Sequence, residues 1–128
     1  MKCQKEKLSK TDKSRLKRAM KLAKISTCKQ KHGAIIIKGG SVLSVGINRN
    51  KNNPTFVGEA TKNWSVHAEA AAIKACAGAD LRNAIIYVAR INKAHEPMMS
   101  KPCQKCEKLI REAGIRKVVY TIDSQMVF

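Results

Sequence analysis

Apolar residues recur along this chain with two periods, and the period changes where small or turn-forming residues fall. Between residues 11 and 26 they return every three or four positions, at Leu16, Ala19, Met20 and Ala23, the spacing of one face of an α-helix. Thr11 or Ser9 can cap its start. Lys13, Arg15, Lys17, Arg18, Lys21 and Lys24 take up the rest of its surface, so the helix packs by one face and shows a cationic one. Residues 33–38 (GAIIIK) and 41–47 (SVLSVGI) are apolar, β-branched runs joined by Gly39-Gly40, which predicts a β-hairpin. Residues 48–66 are rich in Asn, Lys and Gly, and a connection of that length inside a compact domain is usually functional. The Ala-rich stretch 67–77 predicts a helix with Ser65 as its N-cap, ended by Gly78. Residues 84–89 (AIIYVA) predict a buried strand and 91–101 a second loop. Pro102 suits the first position of a helix reaching Ala113, with Gly114 beyond its end. Residues 116–121 predict a fourth strand, and 124–128 leave room for a short fifth.

The order α-β-β-α-β-α-β alternates strand and helix in its second half, which implies right-handed crossovers and parallel pairing there. Strands with few polar positions imply a sheet covered on both faces. The expected fold is α/β, a three-layer α/β/α sandwich on a mixed sheet of four to five strands. Residues 1–10 are Lys-rich and aperiodic, and are expected to be a basic flexible arm; residues 11–128 are expected to form one domain.

Charge changes the picture of the partners. The chain carries 26 Lys and Arg against 9 Asp and Glu, a net charge of +17, and residues 1–31 hold 12 of the basic residues and only two acids. Such an excess favours a polyanion such as single-stranded DNA or RNA. Aromatic residues are sparse, so no base-stacking platform is evident. No apolar run approaches the ~20 residues that span a bilayer, so no membrane is expected. The N-terminus MKCQKEKLSK has no apolar core of a signal peptide, and five cysteines, an odd number, argue against a disulfide framework. The expected location is the cytoplasm.

The candidate chemistry lies in His67-Ala68-Glu69 and in Pro102-Cys103-Gln104-Lys105-Cys106. Both fall where a helix is expected to begin. Cys103 and Cys106 are one turn apart on one helix face, so both sulfurs can reach one ion, and a helix N-terminus favours the thiolate that binds metal. His67 adds a nitrogen from a second helix start. Three protein ligands leave the fourth tetrahedral position of one catalytic Zn2+ to water or hydroxide. Glu69 beside it is placed to carry a proton, as a general acid/base. A redox CxxC pair would leave His67 and Glu69 without a role. A four-cysteine structural site would need two further ligands, and Cys3, Cys28, Cys76, His32 and His95 offer no second CxxC. His32 and His95 read as surface or capping residues, and Cys28 and Cys76 as small buried ones. Trp64, Phe56, Phe128 and Met98-Met99 are candidate pocket walls or loop anchors. Arg49, Lys51 and Lys101 flank the expected pocket and could hold phosphate.

The pattern H-x-E…P-C-x-x-C is a signature of zinc nucleobase deaminases. With Ser26-Thr27-Cys28, Gly33-Ala34-Ile35-Ile36-Ile37, Gly46-Ile47-Asn48 and Gly114 to Tyr120, the chain resembles the cytidine and deoxycytidylate deaminase superfamily over residues 12–121. The resemblance implies a cytidine deaminase-like fold and hydrolytic loss of the exocyclic amine of cytosine, giving uracil. It implies His67, Cys103 and Cys106 as zinc ligands, Glu69 as the general acid/base, and Asn48 as a contact to substrate sugar or base. Two features depart from many relatives: Lys101 directly before the Pro-Cys pair, and a long segment from Arg90 to Lys101. The charge makes cytosine in single-stranded nucleic acid the favoured substrate. The alternatives are free deoxycytidylate or cytidine, in which case oligomers are usual, and a non-catalytic basic nucleic-acid-binding module with a structural zinc.

Overall fold

The structure, a computed structural model, describes residues 8–50 and 65–122. Most of the expected arm at 1–10, the expected strand at 124–128, Cys3, Lys51, Phe56, Trp64 and Phe128 lie outside the described residues.

Helix α1 spans Lys10–Ala23. Of the two candidate caps, Ser9 is the one used: its side chain accepts a hydrogen bond from the Asp12 N–H at 3.1 Å. The apolar stripe faces inward, with Leu16, Ala19 and Ala23 buried. The helix stops short of the predicted Ser26, whose hydroxyl is taken instead by Asn48. Strands β1 (Lys31–Lys38) and β2 (Ser41–Ile47) form the expected antiparallel hairpin. Gly39 and Gly40 both take positive φ, 59° and 81°, which two-residue turns matching strand twist require.

The sheet continues from β1 to β5 (Ile85–Ile91), antiparallel. The far edge of β5 is shared by two strands. β7 (Lys117–Tyr120) runs parallel along Ile85–Val88, and β6 (Pro97–Met98) runs antiparallel along Arg90–Ile91. The mixed five-stranded sheet and its one parallel pair match expectation. The predicted loop at 91–101 is instead a hairpin extension. Asn92 Oδ1 accepts from the backbone of Ala94 and Glu96, and His95, exposed with φ 64°, completes the turn. A second small pair, β3 (Arg49–Asn50) with β4 (Ser65–Val66), closes the ends of the long connection.

Helices α2 (Ala68–Ala75) and α3 (Gln104–Glu112) lie on the opposite sheet face from α1. One core joins α1 to Ile35, Ile37, Tyr87, Ala89 and Val119. The other joins α2 and α3 to Ala34, Ile36, Ile86 and Val88. Strand alternation sends neighbouring residues to opposite cores, and the three layers follow. After α3, Gly114 (φ 86°) turns the chain, with Ile115 N–H on Ile110 O and Gly114 N–H on Arg111 O, a Schellman stop.

Two helix starts differ from expectation. Ser65 does not cap α2: it sits in β4, and His67 is the N-cap, in extended conformation at φ −75°, ψ 149°. Pro102 is not the first residue of α3; Cys103 is its N-cap, at φ −69°, ψ 169°. Both shifts have one cause. Each motif residue closes an extended approach from the sheet end before the helix begins.

The helices sit close on the sheet because two strand residues lack side chains. A Cβ at Gly33 would lie 2.4 Å from Ala19 O, and one at Gly46 would lie 2.5 Å from both Ala68 O and Ala72 N. Ser44 adds a hydrogen bond to Ala72 O at 2.7 Å. The first turn of α2 is therefore seated on β2 by direct backbone contact.

Candidate metal and substrate site

Four groups of the two motifs meet at one end of the sheet. His67 and Cys103 hold the N-cap positions of α2 and α3, and Glu69 and Cys106 fall in the first turns behind them. An N-cap residue lies off the helical spiral, so the side chains at 67 and 69 need not diverge by the ~200° that two helical residues would. The Cys pair is related as N-cap and third helical residue, the spacing at which those side chains face one another.

His67 Nδ1 lies 3.2 Å from Cys106 Sγ and 3.8 Å from Cys103 Sγ. One donor atom from each residue can be chosen so that all lie within 4.8 Å of one another. Tetrahedral zinc with bonds of ~2.1 Å to nitrogen and ~2.3 Å to sulfur puts neighbouring ligand atoms roughly 3.6–3.8 Å apart, so the set suits that ion. Cys106 is buried, whereas His67 and Cys103 face solvent. Burial, the Glu69 carboxylate and Cys103 push the Cys106 thiol well above its ordinary range. A cation at the shared position would reverse that balance.

Glu69 is 4% exposed, and its Oε1 is buried without a hydrogen-bond partner among the described residues. Burial raises its pKa, opposed by a backbone hydrogen bond and by His67. The carboxyl is thereby held above its usual range beside the His-Cys-Cys cluster.

Three of the four groups, His67, Glu69 and Cys103, open into a cavity of about 340 Å³, in the range of small-ligand sites. Cys28, Lys29, Gln30, His32, Asn48, Ser100 and Lys101 complete its lining. Asn48 lies in the pocket as expected, but most of its amide is already engaged. Its Oδ1 accepts from Ser26 Oγ at 2.7 Å and from His32 N–H at 2.8 Å, and its Nδ2 donates to Gln30 O at 2.5 Å. One Nδ2 hydrogen remains for another partner. Lys101 stands at the pocket rim, held by Ser100. The Ser100 hydroxyl donates to Val88 O at 2.8 Å and meets Thr121 Oγ1 at 2.8 Å.

Sequence reasoning missed His32. It was expected on the surface or at a cap, yet it lines the pocket with its Nε2 enclosed. Burial, then Arg90 and His67, lower its pKa to about 4, so it is neutral near pH 7. A signal existed: position 32 shares its side of β1 with Ala34 and Ile36, and so faces the motif helices. Cys28 is buried as expected, Cys76 is half-buried against Ser44 Oγ at 3.1 Å, and Met99 is exposed.

A mixed sheet carrying an enclosed carboxyl and a His-Cys-Cys cluster at two helix starts is the architecture of a zinc deaminase. Residues 9–122 match the family model described as the cytidine and deoxycytidylate deaminase zinc-binding region, and the chain belongs to that family. It is 40% identical over 65 residues to the deoxycytidylate deaminase of Mycobacterium phage D29, a match covering 51% of this chain and 43% of that one, less than half of the relative's length. The dCMP deaminase of cyanophage S-TIM5 in apo form superposes with a TM-score of 0.68 at 26% identity, covering 89% of this chain and 84% of that one. The same enzyme in complex with dCMP and dUMP gives 0.67 at 24% identity, covering 90% and 83%, a likeness of fold.

Proposed function

We propose that this protein is a zinc-dependent hydrolytic deaminase of free deoxycytidylate, converting the cytosine base to uracil. The observation that carries the reading is the convergence of His67, Cys103 and Cys106 beside the enclosed, unpartnered Oε1 of Glu69. The substrate reading draws support from the phage deoxycytidylate deaminases that the chain resembles in sequence and in fold.

In this proposal His67, Cys103 and Cys106 hold the metal. Bound there, zinc supplies a Lewis acid that lowers the pKa of water towards neutrality. Glu69 accepts a proton from the attacking water and passes it to ring nitrogen N3, then carries the second proton from the new C4 hydroxyl to the exocyclic nitrogen. The C4–N bond breaks, ammonia leaves, and the water oxygen stays on C4 as the carbonyl. The carboxyl's raised pKa serves both halves, since it makes the carboxylate a stronger base for taking the proton that it later gives back. Asn48, which lines the same cavity as Glu69, offers its remaining Nδ2 hydrogen to the sugar or base.

Single-stranded nucleic acid is the second reading, and the +17 charge favours it. The fold weakens that support. The most regular cationic surface, Lys17, Arg18 and Lys21 on α1 with Lys24 as its C-cap, belongs to the layer across the sheet from α2 and α3.

The test is product analysis. Zinc-loaded protein is incubated separately with deoxycytidylate, deoxycytidine and a cytosine-containing oligonucleotide, at two salt concentrations. Turnover of deoxycytidylate that varies little with salt is expected, and Glu69→Gln should retain zinc while losing at least about a hundredfold in kcat. Oligonucleotide deamination that falls steeply with salt, without nucleotide turnover, would establish the second reading. Full activity in Glu69→Gln would remove Glu69 as the general acid/base, and no turnover of any of the three substrates by the zinc-loaded parent would remove the enzyme reading.

A further inference from the structure

Among the described residues, three buried side-chain nitrogen or oxygen atoms lack a hydrogen-bond partner: Glu69 Oε1, His32 Nε2 and Arg90 Nε. Leaving such atoms unpaired is costly, so each asks for an explanation. Glu69 Oε1 has one in the reaction. The other two are neighbours. His32 and Arg90 stand opposite one another in the β1–β5 register. Both share the sheet side of Ala34, Ile36, Ile86 and Val88, which face α2 and α3. They therefore lie beside each other on the sheet beneath the two motif helices.

His32 is built into the cavity wall. Its backbone is clamped on both sides: its N–H donates to Asn48 Oδ1 at 2.8 Å, and its carbonyl accepts from Asn48 N–H at 3.3 Å. The backbone of His32 is thus held in place, and its ring carries an unpaired nitrogen. Arg90 is half-buried, forms no ion pair among the described residues, and has its Nε enclosed. A neutral imidazole N–H and a guanidinium N–H side by side suit the same partner, an oxygen with free lone pairs.

We infer that His32 and Arg90 form a substrate subsite that donates hydrogen bonds to an acceptor oxygen of the nucleotide, from either the base carbonyl or the phosphate. The inference rests on the free-nucleotide reading. In it, His32, which lines the cavity, contacts the substrate directly, and Arg90 opposite it in the strand register adds a second donor.

Binding of the reaction's products tests this without turnover. Calorimetry is run with deoxyuridylate and with deoxyuridine on zinc-loaded parent, His32→Val, His32→Gln and Arg90→Met proteins. His32→Val is expected to weaken deoxyuridylate binding about tenfold, the worth of one hydrogen bond. His32→Gln, which keeps an N–H at the tip, should recover most of that. Loss for both ligands assigns the oxygen to the base, and loss for deoxyuridylate alone assigns it to the phosphate. Zinc content should stay at one per chain in every variant. Binding within twofold of the parent in both His32→Val and Arg90→Met overturns the subsite. Absence of binding to the parent overturns the free-nucleotide reading, and the subsite with it. Should His32→Val not fold, the imidazole 15N resonances of the parent decide: a shift of the His32 signals on adding deoxyuridylate supports the contact, and unmoved signals overturn it.

Discussion

At the scale of single residues, His32 ties stability to pH as well as lining the pocket. Its folded-state pKa is about 4, against 6.5 for the free side chain, because of burial and then Arg90 and His67. Between those values the unfolded chain binds a proton that the folded protein refuses. Stability on this account is therefore fully present above about pH 6.5 and falls as pH drops towards 4. At pH 5 the loss amounts to roughly 2 kcal/mol at most, from 1.36 kcal/mol per pH unit. Denaturant unfolding of parent and His32→Gln at pH 7.5 and pH 5 measures it. The parent should lose more over this interval than the variant, and equal losses would refute the coupling. Comparing the two proteins cancels any zinc release that both share.

At the scale of elements, the placing of α2 is the device that matters. Its first turn rests on Gly46 with no room for a Cβ, and His67 and Glu69 both belong to that turn. Gly46→Ala is expected to push α2 off β2, costing about 1–3 kcal/mol and lowering zinc affinity and kcat/KM together. Gly40→Ala is the comparison: a Cβ there meets nothing within 4 Å, and only the positive φ of 81° is strained. It should cost about 1 kcal/mol of stability and leave kcat/KM unchanged. Thermal melts, zinc titration and steady-state rates on both variants check this. An equal effect on zinc affinity in the two would argue against the seating role. The helices and long strands were legible in the sequence because their apolar periods are long and bounded by Gly39-Gly40, Gly78 and Gly114. The helix starts were misread by one or two residues. Ser65 and Pro102 have strong N-terminal preferences as isolated residues, but strand pairing at Ser65 and the extended run into Cys103 override them. The short strand β6 was missed because two residues carry no period.

At the scale of the whole molecule, the sheet divides the protein into two layers with different surfaces. The α1 layer carries the regular basic face. It is tied to β5 by Asp12, which accepts from Tyr87 Oη at 2.7 Å and pairs with Lys117 at 3.7 Å. The α2/α3 layer carries the candidate site, and among the described residues of the cavity wall Glu69 is the only acid. No helix among the described residues is long and apolar enough to cross a membrane. The candidate site was legible at His67, Glu69, Cys103 and Cys106 because the two motifs each sit at a helix start. The partnership of His32 with Arg90 was not legible. It is set by a pairing between strands some fifty residues apart, which no local period reveals.

The two N-caps have one more consequence. His67 and Cys103 occupy positions where a side chain normally accepts a hydrogen bond from the first turn, and neither makes one. Their donor atoms are turned towards each other instead. A metal joining them would act as a rivet between two helix ends that otherwise lack side-chain fastening. Stripping the metal should therefore accelerate amide hydrogen exchange at residues 68–70 and 104–106, while the β1–β5 amides keep their protection. Hydrogen-exchange mass spectrometry with and without a chelator reads this directly. Uniform loosening of the whole chain would instead mean that the metal holds up the fold rather than only fastening these ends.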